Sequence, residues 1–288
     1  MKRRLVVAAI FVIMAVAIAL WARARMHGDR GARSPLPGKE VTSSMLTLDH
    51  LTMTVVYDNN PYAEGLRAEW GFSCFIDGAP KRILFDTGGD APVLLANMEK
   101  LSIDPRDIDI VVLSHEHGDH TGGLRALLEV NPDVEVYLPE SFPGGFKQMV
   151  SAVGATLVEV GEPLEIMDGV YSLGQMGTLI KEQSLALITD RGVIVITGCA
   201  HPGIVSIVRR ASEITGGEML LAMGGFHLIR TEESDIGGII RDLEEMGLKH
   251  AGPCHCSGDV ARQLFKAAYE DDYIDIGVGS VIMGSDLR

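Results

Sequence analysis

Three histidines and an aspartate fall within six residues in the run Ser114-His115-Glu116-His117-Gly118-Asp119-His120, directly after the apolar stretch Val111-Val112-Leu113. In an extended segment, side chains two residues apart share a face, so His115 and His117 can grip one cation together. Asp119 and His120 lie beyond the bend expected at Gly118 and can offer a carboxylate and an imidazole to a second cation. This donor chemistry suits zinc first, with iron and manganese in range. The bland alternative is a polar turn with unrelated histidines. Four such donors packed against the end of a buried strand argue against it.

Other chemistry-bearing residues recur where apolar runs end: Asp86, His201, His227 and His255. Asp86 precedes Thr87-Gly88-Gly89, where it either accepts the second N–H of a ligand histidine or caps a turn. His227, after Gly224-Gly225-Phe226, could bind a substrate oxyanion, act as an acid, add a ligand, or serve only the fold. Glu182-Gln183 either reaches the site or starts a strand in solvent. Cys254 and Cys256 flank His255, and in an extended segment both point away from its face, which makes them packing residues. Asp58-Asn59-Asn60-Pro61 has turn composition. Ser257 is placed to cap a helix whose amides could hold an anion. Four cysteines in 288 residues do not form a disulfide framework.

The elements that must position these groups alternate between β-rich and amphipathic runs. Strands are expected at residues 51–57, 70–76, 82–85, 109–113, 134–138, 156–160, 184–189, 193–197, 219–223 and 273–278. Helices are expected at 92–100, 122–130, 145–153, 203–215, 234–246 and 258–269. Early strands come in succession and later ones alternate with helices, so the class is α/β with sheets covered by helices. No repeat is evident. A hydrophobic content of 47% supports a sizeable core.

The net charge of -14 is unevenly spread. Residues 1–33 hold seven Lys/Arg against Asp29 alone, which leaves 18 basic and 38 acidic residues in the rest. Such an acidic body argues against nucleic-acid binding, although bound cations can still reverse the sign locally for a small anionic substrate. Residues 5–21 are uncharged and bracketed by Lys2-Arg3-Arg4 and Arg23/Arg25, the pattern of a single transmembrane helix or a signal peptide. The expected organisation is an anchor or signal at 1–25, a linker at 26–45 and a catalytic domain at 46–288. On this reading the protein is membrane-anchored with its catalytic domain extracytoplasmic, or secreted if the segment is cleaved.

The His-x-His-x-Asp-His run resembles the hallmark of the metallo-β-lactamase superfamily. Glu69-Trp70-Gly71-Phe72-Ser73, Leu84-Phe85-Asp86-Thr87-Gly88-Gly89, Thr197-Gly198-Cys199-Ala200-His201-Pro202-Gly203, Gly224-Gly225-Phe226-His227-Leu228 and Pro253-Cys254-His255-Cys256-Ser257-Gly258 look like one branch of it. That branch is named for 7,8-dihydropterin-6-yl-methyl-4-(β-D-ribofuranosyl)aminobenzene 5′-phosphate synthase. The resemblance runs from about Leu46 to the C-terminus. It implies a four-layer αββα sandwich and two divalent metal ions, held by His115, His117, Asp119, His120, His201 and His255. Asp86 is implied near the site, and the loop at residues 58–61 borders the substrate cleft. One departure stands out: many members follow a strand with Gly-Asp, whereas here Gly198-Cys199 follows Thr197. Either Cys199 stands where that bridging carboxylate would be, or the second ion is held more loosely.

Two functions from different classes follow. The first is a hydrolase in which metal-bound hydroxide attacks an ester-like bond (phosphoester, phosphodiester or lactone), with Asp119 binding a metal and orienting the nucleophile. The alternative is a transferase like the branch's synthase, with diphosphate as leaving group. The intact ligand run argues against a non-catalytic module.

Overall fold

Parallel strands that end side by side create the edge on which the chemistry sits, and two sheets supply them. The computed structural model describes residues 45–287. The first sheet runs β13-β1-β2-β3-β4-β5-β6, with β1 at Thr52–Asp58, β2 at Phe72–Asp77, β3 at Ile83–Phe85, β4 at Ile110–Val112, β5 at Glu135–Pro139, β6 at Thr156–Val160 and β13 at Val281–Met283. The second runs β12-β11-β10-β9-β8-β7, with β7 at Leu164–Met167, β8 at Val170–Ser172, β9 at Leu185–Thr189, β10 at Gly192–Thr197, β11 at Met219–Gly225 and β12 at His250–Cys254. Pairing is parallel from β3 to β6 and from β10 to β12, and antiparallel elsewhere.

The period-two alternation of β-strands sorts the core into layers. In β10, Ile194 and Ile196 pack between the sheets while Val193 and Val195 face the helices outside. In β4, Ile110 and Val112 face inward and Val111 outward. Strands buried on both faces are therefore apolar throughout, as Val193-Ile194-Val195-Ile196 is.

Outside the first sheet lie α1 (Ala91–Lys100), α3 (Leu124–Val130) and α4 (Gly144–Ala152), joined to it through Leu94, Met98, Leu127 and Val150. A single turn, α2 (Gly118–Thr121), precedes α3. The second sheet is covered by α5 (Ile204–Thr215), α6 (Glu233–Glu245) and α7 (Asp259–Tyr269). In α5 the buried side chains Ile204, Ile207, Val208 and Ala211 recur at helical spacing. The layers are helix, sheet, sheet, helix, the αββα arrangement expected.

Some expectations fail for identifiable reasons. Residues 273–278 make only isolated bridges, at Tyr273 and Val278. β12 is hidden in sequence by Gly252 and Pro253. It lies at the sheet edge, where a proline's missing N–H is tolerated. No helix among the described residues is long and apolar enough to cross a membrane. The longest, α6, has 13 residues and buries one stripe, a length of about 20 Å against the roughly 30 Å of a hydrocarbon core. The transmembrane helix expected ahead of the sandwich, and the membrane-anchored, extracytoplasmic placement drawn from it, therefore find no support among the described residues. Residues 1–25, on which that expectation rested, lie outside the described residues.

Ile196 is fully buried between the sheets. Ile196→Ala is expected to lower the free energy of unfolding by about 2–5 kcal/mol, read from urea denaturation. An unchanged midpoint would contradict the inter-sheet packing.

Candidate metal centre

Each chemistry-bearing segment leaves the C-terminal end of a strand. Asp86 follows β3, the 114–120 run follows β4, Cys199 and His201 follow β10, His227 follows β11 and His255 follows β12. The turns that carry them are sharp. Asp86 (φ 58), Ala200 (φ 58), His227 (φ 55) and His255 (φ 47) are four of the six non-glycine residues in the left-handed region among the described residues. Such conformations cost on the order of 1–3 kcal/mol each and persist where surrounding contacts impose them.

Those contacts are hydrogen bonds from buried polar groups. Asp86 is fully buried. Its Oδ1 accepts from the Ser114 N–H at 2.7 Å, and its Oδ2 accepts from the Ser114 hydroxyl at 2.7 Å and from His120 Nδ1 at 2.7 Å. With its proton committed to Asp86, Ser114 Oγ accepts from His115 Nδ1 at 2.9 Å. These bonds turn the lone pairs of His115 Nε2 and His120 Nε2 away from the sheet and toward one another's neighbours. Gly198 has to be glycine here, because a Cβ would lie 2.1 Å from Ser114 Oγ and 2.9 Å from Asp86 Oδ2.

On the opposite side Glu182 performs the same task. It is 1% exposed. Its Oε1 accepts from the N–H groups of Cys199 and Ala200, both at 2.9 Å, and its Oε2 from that of His201 at 2.8 Å. Burial pushes its carboxyl above the ordinary range despite these three donors. His255 is held from the early loop: Asn59 Oδ1 faces His255 Nδ1 at 2.8 Å, and buried Asp58 accepts from the His255 N–H at 3.0 Å. Trp70, about half exposed, stacks beside that ring at a centroid distance of 4.9 Å.

Two donor trios result, each with ligand-type atoms within 4.8 Å of one another: His115, His117 and His201, then Asp119, His120 and His255. His115 Nε2 lies 3.0 Å from His117 Nδ1, and Asp119 Oδ2 lies 3.4 Å from His255 Nε2 and 3.7 Å from His120 Nε2. Donors on a tetrahedral zinc ion stand about 3.3 Å apart for bonds of about 2.0–2.1 Å. The Nε2 atoms of His201 and His255 are buried with no hydrogen-bond partner, a costly condition that a cation would relieve. The donor set thus fits a pair of divalent cations. Cys199 sits between the trios, its Sγ 3.2 Å from His120 Nε2. His227 is exposed and lies against His201, the ring centroids 4.4 Å apart and the planes tilted by 53°.

The protonation states of His115, His201 and Asp119 favour ligation. Burial first, then the neighbouring histidines, push His115 far down, and the same causes push His201 down to about 4. Burial alone would raise Asp119, but the nearby His255 ring, its Nε2 3.4 Å from the carboxylate, and the charge of His120 outweigh it and hold the carboxyl well below the usual range. Burial opposes the charged form of His120, yet the charge and hydrogen bond of Asp86 raise it. The neighbouring Cys256 thiol raises Cys199, and Cys199 in turn lowers Cys256, whose Sγ donates to the Cys199 carbonyl at 3.7 Å.

Residues 71–210 match the family model of the metallo-β-lactamase superfamily. A 7,8-dihydropterin-6-methyl-4-(β-D-ribofuranosyl)-aminobenzene-5′-phosphate synthase from Methanocaldococcus jannaschii is 30% identical over 80% of this chain and 95% of its own length. The chain belongs to the metallo-β-lactamase superfamily. Within that superfamily the solved structure of Tm1679, a metal-dependent hydrolase, is 30% identical, with a TM-score of 0.69 over 81% of this chain and 98% of its own. A diphosphatase from the PhnP family shares the fold, at 14% identity and a TM-score of 0.53 over 81% and 96%. The superfamily's use of divalent metals agrees with the chemistry of the two trios.

The expected residues are all brought to this edge, with Asp86 behind the histidines and not among the inward-facing donors. Sequence reasoning gave Asn59 only as part of a turn bordering the substrate cleft, assigned Ser114 no role of its own, and left Glu182 undecided between the site and solvent. Cys256 also departs from expectation. His255–Ser257 form a 3-10 turn instead of an extended segment, which swings Cys256 back toward Cys199. Ser257 does not cap α7; its hydroxyl accepts from the Phe226 N–H at 3.0 Å.

Asp86→Ala is expected to weaken zinc affinity by about 10–100-fold, measured by competition with a chromophoric chelator, because His115 and His120 lose their orienting partner. Unchanged affinity would contradict that role. In the metal-free chain the His201 ring should remain neutral at pH 5.5 and take up a proton only near about 4 in a nitrogen-detected NMR titration. Protonation near 6.5, the ordinary histidine value, would show that burial does not act on it as described.

Proposed function

We propose that this protein is a metal-dependent hydrolase that cleaves an ester-like bond (phosphoester, phosphodiester or lactone) in a small anionic substrate. The observation that carries the reading is that each donor trio has a partly exposed member beside its buried ones. Asp119 is 22% exposed through its side chain and His117 and His201 are partly exposed, so water reaches the donor face. A pair of bound divalent cations supplies a Lewis acid for a phosphoryl or carbonyl oxygen and a nucleophile at neutral pH. His115, His117 and His201 would hold one, and Asp119, His120 and His255 the other. Asp119, held ionised, would also accept a hydrogen bond from a water at the open side and so orient it for attack. His227, raised first by its hydrogen bond to Cys256, stands at the exposed edge with a proton to offer a leaving oxygen or to hold an anionic group.

The M. jannaschii relative favours a second reading, transfer to an organic acceptor instead of water, because it matches over 95% of its length. Such a transfer needs water excluded and a second pocket for the acceptor. With zinc or manganese supplied, the purified protein is expected to cleave at least one simple phosphoester or lactone, and Asp119→Ala should lose at least 100-fold in kcat/KM. Failure on both substrate types, together with condensation of a pterin methyl diphosphate with a ribofuranosylaminobenzene phosphate, would overturn hydrolysis in favour of transfer.

A further inference from the structure

Cys199 and Cys256 are 3% and 2% exposed, and both are free thiols. Ligand-type atoms of Cys199, His255 and Cys256 all lie within 4.8 Å of one another. Cys199 shares spheres of the same size with His115 and His120, and with His201 and His227. The backbone makes room for this pair of sulfurs at Gly225, where a Cβ would stand 2.8 Å from Cys256 Sγ and 3.2 Å from Cys199 Cα. The third member has a nitrogen to give: His255 Nδ1 is occupied by Asn59, and its Nε2 is buried without a hydrogen-bond partner, 3.4 Å from Asp119 Oδ2.

We infer that Cys199, Cys256 and His255 form a thiophilic corner of the metal centre, so that the cation beside His255 is taken through sulfur. It is then a soft or borderline ion of the zinc class, not a hard, oxygen-seeking ion such as magnesium or calcium. This rests on reading the histidine cluster as a metal centre, and it adds sulfur to a donor set otherwise made of imidazole and carboxylate. Zinc–sulfur bonds of about 2.3 Å beside zinc–nitrogen bonds of about 2.0–2.1 Å place such donors roughly 3.3–3.8 Å apart. Ligation at that spacing would draw together atoms that already lie within 4.8 Å of one another. Each thiol that ligates releases its proton to solvent, so uptake of the ion liberates protons in step with the sulfurs engaged.

Cadmium, a thiophilic probe ion, is titrated into the purified full-length chain, and near-ultraviolet absorbance is followed for sulfur-to-metal charge transfer. A band that rises and saturates is expected. Cys199→Ala should abolish it and Cys256→Ala should reduce it by at least half, whereas His117→Ala, which removes a donor from the other trio, should retain it. Circular dichroism checks folding, and Cys256→Ser replaces the alanine variant if that one fails to fold. Cadmium uptake by the wild-type chain with no sulfur band, or a band unchanged in both cysteine variants, overturns the inference. Metal-dependent hydrolysis persisting under either result would leave the proposed function standing, while absence of any cadmium binding would overturn both.

Discussion

The buried carboxylate of Asp86 is the constraint on which the rest of this site depends. A carboxylate without solvent must satisfy its oxygens internally, and here it does so with the Ser114 backbone, the Ser114 hydroxyl and the His120 ring. Those three bonds decide which nitrogen His120 presents to the cleft and, through Ser114, which one His115 presents. They also join β3 to the end of β4, so that the same residue aligns two parallel strands and orients the side chains that follow them. The left-handed backbone at Asp86 is the cost of bringing its carboxylate under the histidines.

The second sheet answers with the mirror of this arrangement. Glu182, ahead of β9, gathers three consecutive amides of the loop after β10 and thereby fixes Cys199 and His201. Asn59 and Asp58, at the end of β1, reach across to His255. His201 and His255, the trio members outside the 114–120 run, are therefore each held by side chains from a segment distant in sequence. The two sheets must be packed in register before the donors converge, which ties the chemistry to the apolar core between them.

Much of this was legible in sequence, and the physical reasons are specific. The His-x-His-x-Asp-His run announces itself because its donors are local, and the strands ahead of it and ahead of Cys199 announce themselves as unbroken apolar runs. What orients the donors was less legible, because those contacts span long sequence separations. Asn59 reads as a turn residue and Glu182 as an acid at a strand start, and only the packing of the sheets shows what each one holds. Cys256 was misplaced because an extended backbone was assumed through His255, where the chain instead makes a 3-10 turn with a positive φ. Gly252 and Pro253 concealed β12 in the same way, as edge-strand residues that resemble a loop.

The central claim is that the two trios, oriented by Asp86, Glu182 and Asn59, hold a pair of divalent cations. The most direct measurement is the metal-to-protein ratio of the full-length chain by elemental analysis, after equilibration with zinc and removal of loosely held ions. A ratio approaching two is expected for the wild-type protein, falling toward one in His117→Ala, which removes a donor from one trio and leaves the other intact. A folded wild-type chain that emerges with no bound metal would contradict it.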